Sequence, residues 1–294
     1  MQVSANGIAL EVEDHGPANG EPLLLVMGLG MQLVAWHPDF VAMLVARGYR
    51  VIRFDNRDIG LSQRFDHLGV PNLAIDSIKY AVGLKVNAPY TVATMADDTA
   101  GLLDALGIRA AHVVGASMGG MIAQQLAVRH PTRVKSLTLI MTSSGSRRLP
   151  GPSLKVRSAL ISRPADPKNV QSVIEHYVKL YKLIGSPAYP ASDAYLHERL
   201  GMSVRRSHRP QGTARQMVAI AADGNRSPLL AQIKAPTQVI HGQADPLVPV
   251  AAGHDLAAKI AGAQLDIIDG MGHDLPEPLW RRFVAGITSA AGRA

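Results

Sequence analysis

The sequence predicts an α/β protein built on a mostly parallel sheet, with helices on both faces and an inserted helical lid. Three observations carry this. Short apolar segments alternate with helical patterns through the first half of the chain, the composition changes abruptly at Ser143, and sheet-like segments return after Gly224. Taken in order, Leu23 to Met27 reads as an apolar strand, Asp39 to Arg47 as a helix and Tyr49 to Phe54 as a second strand. Thr94-Met95-Ala96-Asp97 is a Thr-x-x-Asp variant of the capping box, opening a helix that runs to about Leu106 and closes at Gly107. Ala111 to Val114 is a short buried strand, Met118 to His130 a helix stopped by Pro131, and Ser136 to Met141 the next strand.

From Ser143 to Pro152 the chain is rich in Ser, Gly and Pro and has no periodicity, as expected of a linker. From Leu154 to about Gly224 the pattern is helical, with Val170, Val173, Ile174, Tyr177, Tyr181 and Ile184 spaced by three and four residues. The expected organisation is therefore one core formed by residues 1–142 and 225–294, with residues 143–224 inserted as a helical lid. Thr237 to Ile240 and Gln264 to Ile268 are strands that run into loops carrying Asp245 and His273.

Composition narrows the function classes. The chain has 294 residues and no cysteine, which excludes disulfides, thiolate metal sites and a cysteine nucleophile. No basic start precedes an apolar run and no stretch has the length of a membrane span, so a soluble cytoplasmic protein is expected, monomeric or homodimeric. The net charge is +7, but residues 143–224 hold 13 Lys and Arg against 5 Asp and Glu, so the basic character belongs to the lid. With 4 Phe, 2 Trp and 7 Tyr, the chain lacks the aromatic platforms of a nucleic-acid surface. Arg147, Arg148, Arg205, Arg206 and Arg209 are candidates for guiding anionic substrates.

The chemistry is carried by Gly115-Ala116-Ser117-Met118-Gly119, which fits G-x-S-x-G between a strand and a helix. A serine hydroxyl attacks a carbonyl only when exposed on a sharp turn, and such a turn crowds its neighbours unless they are tiny. Gly115 and Gly119 provide that clearance. The competing explanation is a glycine-rich connection with an incidental serine. At neutral pH the hydroxyl also needs an imidazole to take its proton and a carboxylate to hold that imidazole in one tautomer. His273, in Gly270-Met271-Gly272-His273, and Asp245, in Gly242-Gln243-Ala244-Asp245-Pro246, both follow strands and complete the order Ser, Asp, His. His37, His112, His130, His241 and His254 lie where packed or solvated histidines are ordinary; Asp223, Asp266, Asp269 and Asp274 are the rival acids. Gly28-x-Gly30 lacks the third glycine of a dinucleotide fingerprint, which has Leu33 in its place, and no cofactor or metal is expected. The polar turn of Asp55, Arg57, Asp58 and Ser62 is read as structural. The backbone N–H of Met118 is one expected donor to the developing oxyanion.

On these motifs the chain resembles the α/β-hydrolase superfamily over nearly its whole length. Val26-Met27-Gly28-Leu29-Gly30-Met31-Gln32 together with Val51-Ile52-Arg53-Phe54-Asp55-Asn56-Arg57-Asp58-Ile59-Gly60-Leu61-Ser62 is similar to bacterial esterases related to aclacinomycin methylesterase. The resemblance implies Ser117 as nucleophile, His273 as general base, Asp245 as orienting acid and the N–H of Leu29 as the second oxyanion donor. Met27-Gly28 replaces the frequent His-Gly pair. The expected activity is hydrolysis of a small to medium carboxylic ester through an acyl-enzyme. The alternatives are thioester, lactone or carbon–carbon bond hydrolysis, cofactor-free perhydrolysis, or a receptor without turnover. Leu29, Met31, Trp36, Met118, Tyr181, Met217 and Val248 are expected to line the substrate pocket beneath the lid.

Overall fold

A computed structural model describes all 294 residues. The chain opens with a hairpin, β1 (Gln2–Ala5) and β2 (Ile8–His15), turned by Asn6 and Gly7, both at positive φ. Ile8, Leu10 and Val12 of β2 face inward in strict alternation. β3 (Glu21–Val26), α1 (Pro38–Val45) and β4 (Tyr49–Phe54) follow; α1 starts one residue earlier than expected because Pro38 occupies its first turn. After α2 (Leu73–Ala81), a surface helix with no buried residue, comes α3 (Val92–Ala105).

Helix α3 begins one turn before the expected start. Its N-cap is Thr91, and Thr94 sits at the third helical position, where the two residues cap each other reciprocally. Asp97, expected to complete the box, instead pairs with Arg129 and His130. β5 (Ala111–Ala116), α4 (Met118–Arg129) and β6 (Val134–Ile140) complete the first half. Four helices then stand between β6 and the next strand: α5 (Leu154–Ile161), α6 (Val170–Ile184), α7 (Asp193–Arg206) and α8 (Pro210–Asp223). β7 (Thr237–Gly242), α9 (Ala251–Lys259), β8 (Gln264–Ile268) and α10 (Trp280–Ala291) end the chain.

The eight strands run in the order β1-β2-β4-β3-β5-β6-β7-β8. β1 and β2 join antiparallel, and the other six are parallel. Because successive side chains point to opposite faces, Leu24 and Val26 pack with α3 and α4, while Leu23 and Leu25 pack with α1 and α10. Helices therefore cover both faces, and every parallel strand delivers its C-terminal end to one edge. Ser117, Asp245 and His273 all lie in the connections leaving that edge. Ile174 and Val178 of α6 pack with Leu196 and Leu200 of α7, giving the inserted helices a small core of their own. No helix is long and apolar enough to cross a membrane.

Candidate active site

Ser117 has φ 54° and ψ −121°, a strained conformation for a residue with a side chain. The turn is enforced by contact. A Cβ on Gly115 would meet the Gly119 carbonyl oxygen at 2.4 Å, and one on Gly119 would meet the Val26 carbonyl oxygen at 2.1 Å. Neither position admits a side chain, so the turn brings Oγ to the sheet edge with the N-terminus of α4 directly behind it.

His273 reaches Ser117 from the loop after β8. Its Nε2 lies 3.0 Å from Ser117 Oγ, and its Nδ1 lies 2.7 Å from Asp245 Oδ2. The other carboxylate oxygen, Oδ1, accepts from the backbone N–H groups of Leu247 (2.9 Å) and Val248 (2.8 Å). Asp245 is thus held by three hydrogen bonds, and its acceptance from Nδ1 leaves the Nε2 lone pair facing the serine hydroxyl. Asp245 and His273 are 5% and 7% exposed, so the relay is shielded from water and from competing partners.

Most of the rival groups are occupied elsewhere, and His254 and Asp269 are exposed. His241, fully buried, donates from Nε2 to the Val248 carbonyl at 2.7 Å; burial lowers its pKa and keeps it neutral, so it supports the acid loop. His112 bonds Ser136, His130 bonds Asp97, and His37 accepts from the Asp39 N–H at the start of α1. Asp266 pairs with Arg282, Asp223 with Arg226, and Asp274 accepts from Ser186.

The loop after β3 brings Gly28 against the serine, where an added Cβ would lie 3.1 Å from Ser117 Cβ. The N–H of Leu29 has no acceptor in the protein, and that of Met118, at the first position of α4, has none within its helix. The polar turn after β4 braces this loop. Asn56 donates to the Met27 carbonyl (2.8 Å), and Asp55 accepts from the N–H groups of Leu33 (2.6 Å) and Leu61 (2.8 Å). Burial raises the Asp55 carboxyl pKa against the pull of these donors and of Arg206. Asp58 and the fully buried Arg215 pair at 2.5 Å; burial alone would raise the Asp58 pKa, but its bonds to Arg215, the Phe65 N–H and Tyr90 hold it low.

Several of these braces come from the inserted helices, which sequence reasoning missed. Gln216 accepts from the Gly30 N–H and donates to the Arg57 carbonyl, both at 2.9 Å. Arg206, expected to guide anionic substrates, bonds Asp55 at 2.7 Å, and Arg209 bonds the Ser62 carbonyl at 2.6 Å. Arg147 stacks over the Tyr80 ring. Of the five candidate arginines, only Arg148 and Arg205 stay exposed without such a partner.

The Trp36 side chain is fully buried beside α1, stacked on Phe40 at 5.7 Å. The Met118 side chain is likewise in the core, and only its backbone faces the site. Met31, Met217, Val248 and Tyr181 are half-buried, and the Tyr181 hydroxyl lies 3.0 Å from Met31 Sδ. A cavity of about 360 Å³ lies between the inserted helices and the segments flanking Asp245 and His273. It is bordered by Tyr181, Leu196, Ala244, Pro246 and Asp274 among others, so Tyr181 is the one expected pocket residue on it. No group of three or more His, Asp and Glu side chains is placed to hold a metal ion.

Comparison with known proteins agrees with this architecture. A family model described as the alpha/beta hydrolase fold matches residues 21–277. Rhodomycin D methylesterase of Streptomyces sp. (strain C5) is 28% identical over 97% of this chain and 95% of its own length. 2-Hydroxymuconate semialdehyde hydrolase of Pseudomonas sp. (strain CF600) is 28% identical over 92% of this chain and 86% of its own. The enol-lactonase from Burkholderia xenovorans LB400 superimposes with a TM-score of 0.77 at 24% identity, covering 99% of this chain and 100% of that one. By its matched residues, its parallel sheet and its strand–serine–helix turn, the chain belongs to the α/β hydrolase fold family.

Proposed function

We propose that this protein is a serine carboxylic ester hydrolase that acts on a small to medium ester through an acyl-enzyme intermediate. The observation that carries the reading is the continuous chain from Ser117 Oγ through the His273 ring to Asp245, at 3.0 and 2.7 Å. The similarity to rhodomycin D methylesterase supports an ester as substrate.

Ser117 Oγ attacks the ester carbonyl carbon while His273 Nε2 takes its proton. The carbonyl π pair moves onto oxygen, where the N–H groups of Leu29 and Met118 receive it. Collapse re-forms the carbonyl and expels the alcohol oxygen, which takes the proton from the imidazolium. A water molecule then gives a proton to Nε2 as its oxygen attacks the acyl carbon, and collapse of the second tetrahedral intermediate releases the acid and expels Ser117 Oγ, which takes that proton back from the imidazolium. Asp245 stays ionised throughout and stabilises the imidazolium. Met31, Tyr181, Met217 and Val248 border the substrate, with the helices of residues 143–224 acting as a lid.

Carbon–carbon bond hydrolysis is the second reading, favoured by the similarity to 2-hydroxymuconate semialdehyde hydrolase over most of both chains. The same relay serves both, and the difference lies in pocket shape and water placement. A series of p-nitrophenyl esters of increasing acyl length, run beside lactone, thioester and vinylogous diketone substrates, separates the two. The proposal expects ester turnover to dominate and to fall on the order of a million-fold in Ser117→Ala. Ester turnover that survives Ser117→Ala would overturn it.

A further inference from the structure

The loop that carries His273 is held by the inserted helices as well as by the sheet. The segment leaving α6 runs alongside it, and five hydrogen bonds join the two. The His273 N–H donates to the Ile184 carbonyl at 2.7 Å, and the Ala188 N–H donates to the Gly270 carbonyl at 3.1 Å. The other three centre on Ser186. Its hydroxyl oxygen accepts from the Gly272 N–H at 2.8 Å, its own O–H donates to Asp274 Oδ1, and its N–H donates to Asp274 Oδ2 at 3.3 Å.

One hydroxyl therefore ties together the residues immediately before and after His273. Ser186 has a single proton, directed at the carboxylate, and its oxygen faces the Gly272 N–H, so the hydroxyl cannot rotate without breaking a bond. It is 3% exposed, which shields its hydroxyl from bulk water. The two segments also touch too closely for side chains. A Cβ on Gly272 would meet the Gly185 carbonyl oxygen at 2.3 Å, and one on Gly270 would meet Ala188 Cβ at the same distance. Asp245 fixes the imidazole ring, but it does not touch the backbone on which the ring is mounted.

We propose that Ser186, anchored by Asp274, is a positioning residue that the inserted helices supply to His273. It fixes the backbone on both sides of the histidine so that Nε2 stays in line with Ser117 Oγ. The proposal rests on the reading of His273 as general base. In that reaction Nε2 takes and returns a proton twice per turnover, so a loop that drifts by about 1 Å costs up to roughly 100-fold in rate.

The test uses the full chain with Ser186→Ala, Asp274→Asn and the double variant. Each is assayed for kcat and KM on a p-nitrophenyl ester and for the second-order rate of fluorophosphonate labelling at Ser117. Ser186→Ala is expected to lose roughly 10- to 100-fold in kcat and to slow labelling by the same factor. KM should stay within about threefold, and labelling should still reach full stoichiometry. The double variant should be no slower than Ser186→Ala alone, because both substitutions break one linked set of bonds. A role confined to packing the inserted helices would raise KM and leave the labelling rate of the folded protein unchanged, and would overturn the proposal. So would additive losses in the double variant. If Ser186→Ala fails to fold, Asp274→Asn decides, and kcat and labelling both within twofold of the parent protein would overturn it. Absence of labelling in the parent protein refutes the underlying hydrolase reading instead, so the two failures are distinguishable.

Discussion

Gln216→Leu is the substitution that most directly probes how the inserted helices support catalysis. Gln216 is fully buried on α8, and its amide bridges the Gly30 N–H and the Arg57 carbonyl, each at 2.9 Å. Leucine fills nearly the same volume but leaves both groups without partners. An orphaned buried polar group costs about 1–3 kcal/mol. The Gly30 N–H is half-buried and Arg57 lies deeper, so the expected loss of stability is about 2–4 kcal/mol. Gly30 directly follows Leu29, whose N–H is the proposed second oxyanion donor. Losing an oxyanion donor outright lowers kcat by roughly 100- to 1000-fold. Here the donor is loosened but remains present, and the expected fall in kcat is roughly 10- to 100-fold, with KM within about threefold. Steady-state kinetics on a p-nitrophenyl ester and urea unfolding read both effects on one preparation. A variant destabilised as predicted but turning over within twofold of the parent protein would show that the Leu29 loop holds its geometry without Gln216.

Three further outcomes follow from the geometry. Gly119→Ala drives a Cβ to within 2.1 Å of the Val26 carbonyl oxygen, so it should cost at least the upper end of the ~1–3 kcal/mol typical of overpacking, or abolish soluble expression; circular dichroism and urea melts check this. Arg215→Met strands the Asp58 carboxylate in the core with only the Phe65 N–H and Tyr90 as partners, and unfolding should become easier by about 3–5 kcal/mol. Burial holds the His241 pKa below its ordinary 6.5, so the unfolded chain takes up that proton first. The stability owed to neutral His241 is complete above 6.5 and is lost as pH falls toward the folded value. In urea titrations at about pH 7.5 and about pH 5.5, the stability gap between the parent protein and His241→Gln should therefore narrow on acidification; a constant or widening gap would contradict the argument.

The parts of this protein that are legible in its sequence are those whose geometry is set locally. Val113, Gly115, Ser117 and Gly119 sit within one turn, and the only way to satisfy two glycines, a buried strand and a following helix is the conformation observed at Ser117. The loops of Asp245 and His273 were legible for the same reason, each being a strand end with turn residues. The N-terminal hairpin announces itself through Asn6-Gly7 and the alternation of Ile8, Leu10 and Val12, a local signal that a reading starting at Leu23 passes over. The braces of the oxyanion loop are different in kind. Gln216 to Gly30, Arg206 to Asp55 and Arg215 to Asp58 join residues about 150 or more positions apart, and no spacing or periodicity records such pairs. The full burial of Trp36 is not marked in the sequence either, because the direction of its side chain depends on the register of a short helical turn. Arg206 and Arg209, candidates for guiding anionic substrates, are internal ties instead because acceptors lie beneath them in the fold.

The most direct measurement of the central claim is intact-mass analysis and peptide mapping after exposure to a fluorophosphonate, on the parent protein, Ser117→Ala and His273→Ala. The account predicts a single adduct on the peptide containing Ser117, no adduct in Ser117→Ala, and labelling slowed by several orders of magnitude in His273→Ala. Modification of a different residue, or labelling at an unchanged rate without His273, would contradict it.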